Sequence, residues 1–145
     1  MSRAFPLAGL LRLRQLQQDR AAGELAAANV RMRETHEARA EAYNALETSQ
    51  TLSDAVDAAT MNAIAAARAS SRSMLADLNA LGTRHTAEVE AARAEFSSAR
   101  ARSVGLEKLE GKFAEAEAAE DLRSEQTILD ELAGSAWHRR QKEAH

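Results

Sequence analysis

The sequence predicts an all-α fold: a long two-helix antiparallel coiled coil, or α-hairpin, with an overhanging C-terminal helix. Three observations predict it. Apolar residues recur every seven positions in both halves of the chain, the spacing that keeps one helix face turned toward a partner helix. No alternating run of β-branched and aromatic residues bounded by turn signals occurs anywhere. Finally, the chain lacks the bulk for a thick core: 45% of its 145 residues are hydrophobic, but alanine supplies 34 of those 65 and aromatics are only 3% of the chain. Large apolar side chains are thus about a fifth of the sequence, below what a packed globular domain uses.

Helix 1 is expected over about 6–48. Pro6 stands where a helix can begin, because a first-turn residue needs no backbone donor, and no further proline follows in the chain. One stripe is Leu11, Gln18, Leu25, Met32, Arg39 and Leu46; the stripe beside it is Leu7, Arg14, Ala21, Ala28, Thr35, Ala42 and Ser49. Large beside small lets two helices approach closely. Gln18 and Arg39 interrupt the first stripe and are read as side chains reaching toward solvent rather than as register pins.

The tip is expected over 49–59, with the reversal near residue 54, because Glu47–Thr60 (ETSQTLSDAVDAAT) is rich in residues that favour caps and turns. A competing reversal is Ala69–Ser73 (ASSRS), which would give two equal arms. Helix 2 is expected over about 60–137, with a basic tail at 138–145, the whole chain 1–145 forming a single coiled-coil domain. Its stripes are Leu78, His85, Ala92, Ala99, Leu106 and Phe113, and Leu81 or Gly82 with Val89, Phe96 and Ser103. A phase slip at Ala116, Ala119 and Leu122 precedes Leu129, Leu132 and Ala136 or Trp137, and the helix is expected to run through it.

A turn near 54 makes opposed residue numbers add to about 110, setting Leu46 near Ile64, Met32 near Leu78, Leu25 near His85 and Leu11 near Ala99. Beyond about residue 107 the second helix then has no internal partner. Its interrupted apolar stripe (Phe113, Leu122, Leu129, Leu132, Trp137) calls for another protein.

Net charge is −3, but the ends are basic, with Arg3, Arg12, Arg14 and Arg20 at one and Arg139, Arg140 and Lys142 at the other. The stretch 107–131 carries nine acidic residues against Lys108, Lys112 and Arg123, a pattern read first as a solvated helix face. Nucleic acid is not an expected partner, since phosphate recognition wants a continuous basic face and base stacking wants aromatics. The absence of cysteine excludes disulfides and thiolate metal sites. No run near 18 apolar residues and no secretory signal is present, so the expectation is a cytoplasmic chain without direct membrane insertion.

Enzyme signatures are absent. His36, His85, His138 and His145 are far apart, whereas a catalytic or metal site needs convergent ligands. His85 and Glu88 share a helix face, but in the reverse of the di-iron order and without partner glutamates. No phosphate-binding glycine loop or nucleophile elbow occurs. The expectation is a non-enzyme with no catalytic, cofactor-binding or metal residues.

Two segments then resemble a known family. FPLAGLLRLRQLQQDRAAGELAAA at Phe5–Ala28 is similar to the N-terminal helix of the FliJ family, the small coiled-coil component of the flagellar type III export apparatus. LEKLEGKFAEAEAAEDLRSEQTILDELA at Leu106–Ala133 resembles that family's other segment, closing in Asp130, Glu131, Leu132 and Ala133. Where members often carry lysine after Glu-Gln, this chain has Thr127 after Glu125 and Gln126.

The resemblance implies an antiparallel coiled coil similar to that of the rotary-ATPase γ subunit. Its partners would be a hexameric flagellar export ATPase, which it activates, the cytoplasmic domain of the membrane export gate, and export chaperones. On that implication the ATPase side is assigned to Arg12, Arg14, Arg123, Leu129, Leu132, Arg139 and Arg140. The gate side is assigned to Ala38, Ala42, Tyr43, Leu46, Ala67, Met74 and Leu78, a zone without the aromatic pairs some members show. Location would be cytoplasmic, peripheral at the inner-membrane face of the flagellar base. The chain is expected to be a monomer on its own; the alternative is a generic structural or homodimeric coiled-coil spacer, which a tight dimer would favour.

Overall fold

The structure, a computed structural model, describes residues 3–51 and 57–144. Two α-helices account for nearly all of them: α1, Ala8–Thr51, and α2, Ala58–Glu143. They pack antiparallel, and no strand occurs among the described residues. Leucine, alanine, glutamate and arginine, all strong helix formers, make this the locally favoured state. Pro6 lies in the turn leading into α1, where the Ala8 amide donates to the Phe5 carbonyl at 3.1 Å.

The reversal expected near residue 54 lies outside the described residues. The competing site does not break the chain, since α2 runs uninterrupted through Ala69–Ser73. The phase slip at Ala116–Leu122 is helical as well. The basic segment drawn as a tail from 138 is part of α2 as far as Glu143. Arg140 and Lys142 occupy its last turn, where cations complement the helix dipole and favour continuation.

At its start, α2 is capped by Asp57, whose Oδ1 accepts from the Thr60 amide at 2.6 Å. Hydrogen bonds from Thr60, side chain first and then backbone, hold the Asp57 carboxyl below the usual aspartate range. A lowered folded-state pKa means that the cap stabilises above the ordinary aspartate value. Its contribution is lost as pH falls through the lowered one. Asp57→Ala is expected to speed hydrogen exchange of the Thr60 amide at neutral pH, measured by NMR, and to leave exchange in the middle of α2 unchanged.

The chain divides into two compact units. In the unit Gln17–Ala99, the Arg68 guanidinium donates to the Ser49 carbonyl at 2.8 Å. A Cβ added at Gly82 would lie 3.9 Å from the Thr35 side chain. Both pairs of residue numbers add to 117. Extending that sum along the stripes opposes Ala21 to Phe96, Leu25 to Ala92, Ala28 to Val89, Met32 to His85 and Ala42 to Leu75, and every one of these residues is buried or half-buried. Large side chains meet small ones layer by layer, as close-packed interiors require.

The register therefore differs from the expected sum of 110 by one heptad. Met32 lies across from His85 rather than Leu78, and Leu46 across from Ser71 rather than Ile64. Arg39 is exposed, as its reading as a solvent-reaching side chain expects, with Ala38 half-buried in its place; two stripe members differ from expectation, Gln18 being half-buried and Leu7 exposed with Ala8 half-buried. Arg39 lies over the Tyr43 ring at 5.9 Å. The buried Thr35 hydroxyl donates to the Arg31 carbonyl at 3.0 Å, which satisfies it inside the seam.

In the unit Met1–Leu16 with Arg100–His145, the same sum opposes Leu11 to Leu106 and Arg14 to Ser103. Phe5 and Phe113 meet with ring centroids 5.6 Å apart, and the Arg3 amide donates to the Glu117 carboxylate at 3.5 Å. Pairing thus extends to 117, not to about 107, and Phe113 has an internal partner. From 118 to 144 every residue but Ala136 is exposed.

All six glycines lie within helices with no positive φ among them. A Cβ at Gly23, Gly105 or Gly111 would meet nothing within 4 Å, so none is needed for backbone shape or close approach. Each costs roughly 0.5–1 kcal/mol relative to alanine. The triple variant Gly23→Ala, Gly105→Ala, Gly111→Ala is expected to raise the melting temperature by roughly 5–10 °C in a circular dichroism melt.

Candidate functional site

The described residues hold no group of three or more acidic, histidine or cysteine side chains able to bind a metal. His85 Nδ1 and Glu88 Oε2 stand 4.0 Å apart, too far for a hydrogen bond. Glu88 also faces Arg31 across the seam at 3.7 Å and Arg84 on its own helix at 4.0 Å. These ion pairs are largely exposed and contribute little to stability.

What the molecule offers instead is surface. In the unit containing both chain ends, α2 outlasts its pairing. Beyond 117 it exposes Leu122, Ile128, Leu129, Leu132 and Trp137, with Leu129 63% accessible. This stripe follows from sequence: apolar positions at threes and fours continue past the last residue that α1 can reach. The Trp137 ring contacts His138 edge-on at 5.3 Å, which leaves most of the indole free. Arg139, Arg140 and Lys142 follow it, all exposed. Apolar bulk ringed by cations suits a partner that supplies an apolar lining and acidic rim.

All seven residues assigned to the ATPase side fall in this unit, but they are not gathered at one point. Arg12 is exposed and Arg14 half-buried where α1 still pairs with α2. Arg123, Leu129, Leu132, Arg139 and Arg140 lie on the unpaired helix, all exposed. Arg14 lies across from Ser103, so the span from there to Arg140 is on the order of 50 Å of helix. Arg123 pairs loosely with Glu120 at 3.7 Å. The sequence reading missed Leu10, Leu13 and Leu16, which make a second exposed apolar row on α1 in the same unit. Their spacing at threes was the available signal, obscured because the seven-residue stripe passes through Leu11 instead.

The seven gate-side residues are brought together in the other unit, where α1 from 38 to 46 runs beside α2 from 67 to 78. They differ in accessibility. Ala42 is buried in the seam; Ala38, Leu46 and Leu78 are half-buried; Tyr43, Ala67 and Met74 are exposed. Tyr43 and Met74 are therefore the large side chains of this set that a partner can reach directly.

Beside that zone lies a groove of about 740 Å³, lined by Asn29, Met32, Arg33, Thr35, His36 and Arg39 of α1 and Asn79, Gly82, Thr83 and Thr86 of α2. Gly82 and Thr35, small residues on facing stripes, form part of its wall. Two arginines and no carboxylate line it, so its electrostatic preference is for an acidic group. The sequence signal was the small Thr35 and Gly82 on facing stripes, legible only once the register is known.

No helix among the described residues is long and apolar enough to cross a membrane. The family model for the flagellar FliJ protein matches residues 2–142. No curated protein and no solved structure matches the chain. A match over nearly the whole length establishes that this chain, a two-helix coiled coil, belongs to the FliJ family, a component of flagellar protein export.

Proposed function

We propose that this chain is a central-stalk-like activator of the hexameric flagellar export ATPase, linking it to the cytoplasmic domain of the membrane export gate and to export chaperones. The observation that carries the reading is the free C-terminal helix, whose large apolar side chains are exposed and whose end is basic. A helix of this kind is completed by insertion into a ring that supplies the missing apolar neighbours. Burial there contributes roughly 25 cal/mol for each Å² removed from water. Arg139 and Arg140, together with Arg12, Arg14 and Arg123, would orient the helix more than tighten it. Leu129 and Leu132 would be the buried anchors.

The gate contact is assigned to the zone of Ala38, Ala42, Tyr43, Leu46, Ala67, Met74 and Leu78, with Tyr43 and Met74 as its accessible side chains. The location that follows is cytoplasmic, at the inner-membrane face of the flagellar base.

Adding the purified chain to its cognate export ATPase is expected to raise the hydrolysis rate at saturating ATP; an unchanged rate overturns the proposal. Sedimentation separates it from the alternative, a homodimeric spacer. The expected species at micromolar concentration is the 15.7 kDa monomer, whereas a tight dimer would assign the exposed stripe to a second copy.

A further inference from the structure

The groove between Asn29–Arg39 of α1 and Asn79–Thr86 of α2 has a floor and a rim of different chemistry, and all of its lining residues belong to the unit Gln17–Ala99. Met32, Thr35 and Gly82, each buried or half-buried, form the floor. The hydroxyl groups along it are engaged by their own helices. Thr35 donates to the Arg31 carbonyl, Thr83 to the Asn79 carbonyl at 3.2 Å and Thr86 to the Gly82 carbonyl at 2.9 Å. The helix backbones are likewise paired within themselves. The floor therefore offers a ligand apolar contact and no free hydroxyl donor.

Free donors stand at the rim instead. Among the described residues, Arg33 and His36 make no ion pair or hydrogen bond, and Arg39 makes only its contact with the Tyr43 ring. Where Arg31 reaches across the seam in this unit it finds Glu88. The groove holds no such carboxylate, so the Arg33 and Arg39 charges have no counter-ion along it. An acidic ligand would supply one.

The floor also decides the form of that ligand. An extended peptide laid on it would leave its own backbone N–H and C=O groups unpaired. A helix brings those groups already satisfied and lays one apolar face into the groove. From Asn29 to Arg39 the groove follows about 15 Å of α1, which matches about three turns of a docked helix.

We propose that this groove docks an acidic amphipathic helix of a partner protein, its apolar stripe on Met32, Thr35 and Gly82 and its carboxylates on Arg33 and Arg39. None of these residues belongs to the sets assigned to the ATPase or the gate, so the inference stands apart from the stalk reading.

The probe is a synthetic peptide of about three heptads with leucine at the two core positions and glutamate at the flanking ones, where like charges keep it from pairing with itself. Its basic counterpart carries lysine in place of each glutamate. Fluorescence anisotropy of the labelled peptides, titrated with the full chain, measures affinity. The acidic peptide is expected to bind at least about tenfold more tightly than the basic one. Arg33→Glu with Arg39→Glu is expected to weaken its binding about tenfold, and Arg139→Glu with Arg140→Glu to leave it unchanged. Thr83→Trp, which puts bulk into the groove without changing charge, is expected to weaken it by about the same factor. All five substituted residues are exposed, so helix pairing does not depend on them.

Equal affinity for the two peptides overturns the proposal, and so does binding indifferent to Arg33→Glu with Arg39→Glu or to Thr83→Trp. Binding lost with Arg139→Glu and Arg140→Glu would place the peptide on the free end of α2 and overturn it as well. A chain that dimerises alone and returns to a monomer with Thr83→Trp would make the occupant a second copy, against the proposal. No ATPase or gate domain is present in these titrations, so a failure of the stalk reading leaves them untouched.

Discussion

Deleting residues 122–145 is expected to abolish stimulation of the export ATPase and to leave the melting temperature of the remaining chain within about 2 °C of the parent. The two halves of that expectation come from the same structural fact. Pairing ends at Glu117, where the Arg3 amide reaches its carboxylate, and every residue from 118 to 144 except Ala136 is exposed. A segment that buries nothing against the rest of the molecule contributes little to its stability. It stays helical because it continues from a formed helix and needs no new nucleus. Helicity should fall by about one-sixth, since 22 of the 130 helical residues are removed (44 in α1 and 86 in α2). Circular dichroism measures both the melt and this loss. ATP hydrolysis with and without the truncated chain measures the rest, and retained stimulation would move the ATPase contact to the paired part of the molecule. The intermediate variant Leu129→Asp, Leu132→Asp keeps the helix and its length. It should lose most of the stimulation by a different route, because burying a carboxylate in an apolar lining costs several kcal/mol.

The faces of both helices were legible in the sequence, and their register was not. Seven-residue spacing identifies Ala21, Ala28, Thr35 and Ala42 as one continuous stripe, and all four are buried. The same spacing is blind to a slip of seven, which returns every stripe to the seam. Choosing a turn near 54 selected the register adding to 110, whereas the fit of large against small across the seam selects 117: Ala21 opposite Phe96, Leu25 opposite Ala92, Ala28 opposite Val89. That fit is a property of two distant segments and leaves no local trace. The length of the free helix inherited the error, so Phe113 was counted as unpaired although it meets Phe5. Arg39 shows the opposite case. Its outward course was read correctly from its chemistry, since a guanidinium in an alanine seam would have no partner, and Ala38 fills the space. The seven residues assigned to the gate side lie near one another because they span a short stretch on each helix, so their proximity does not depend on the register, and their role stays a proposal. The groove at Gly82 was not legible, because a cavity depends on what lies across from the glycine.

Val89→Asp should unfold much of the coiled coil at temperatures where the parent is intact, lowering the melting temperature by roughly 10–15 °C, while Val30→Asp should change it by no more than a degree or two. Both replace valine by aspartate in the middle of a helix, and the two residues have similar helix propensity. They differ in where the side chain points. Val89 is 3% exposed and lies across from Ala28, itself 2% exposed, whereas Val30 is 44% exposed on the outer face of α1. A carboxylate at 89 must either stay ionised in the tightest layer of the seam or take up a proton, and either course costs about 3–5 kcal/mol. Few domains hold more than about 5–15 kcal/mol in total, and a two-helix seam rich in alanine has little surplus apolar area to offset the loss. The contrast is independent of register, because a seven-residue slip keeps Val89 in the seam, opposite Ala21, and Val30 outside it. Equal melting temperatures for the two variants would therefore show that the faces themselves are misassigned. If only Val89→Asp collapses, the alanine stripe is confirmed as the surface on which the whole coiled coil closes.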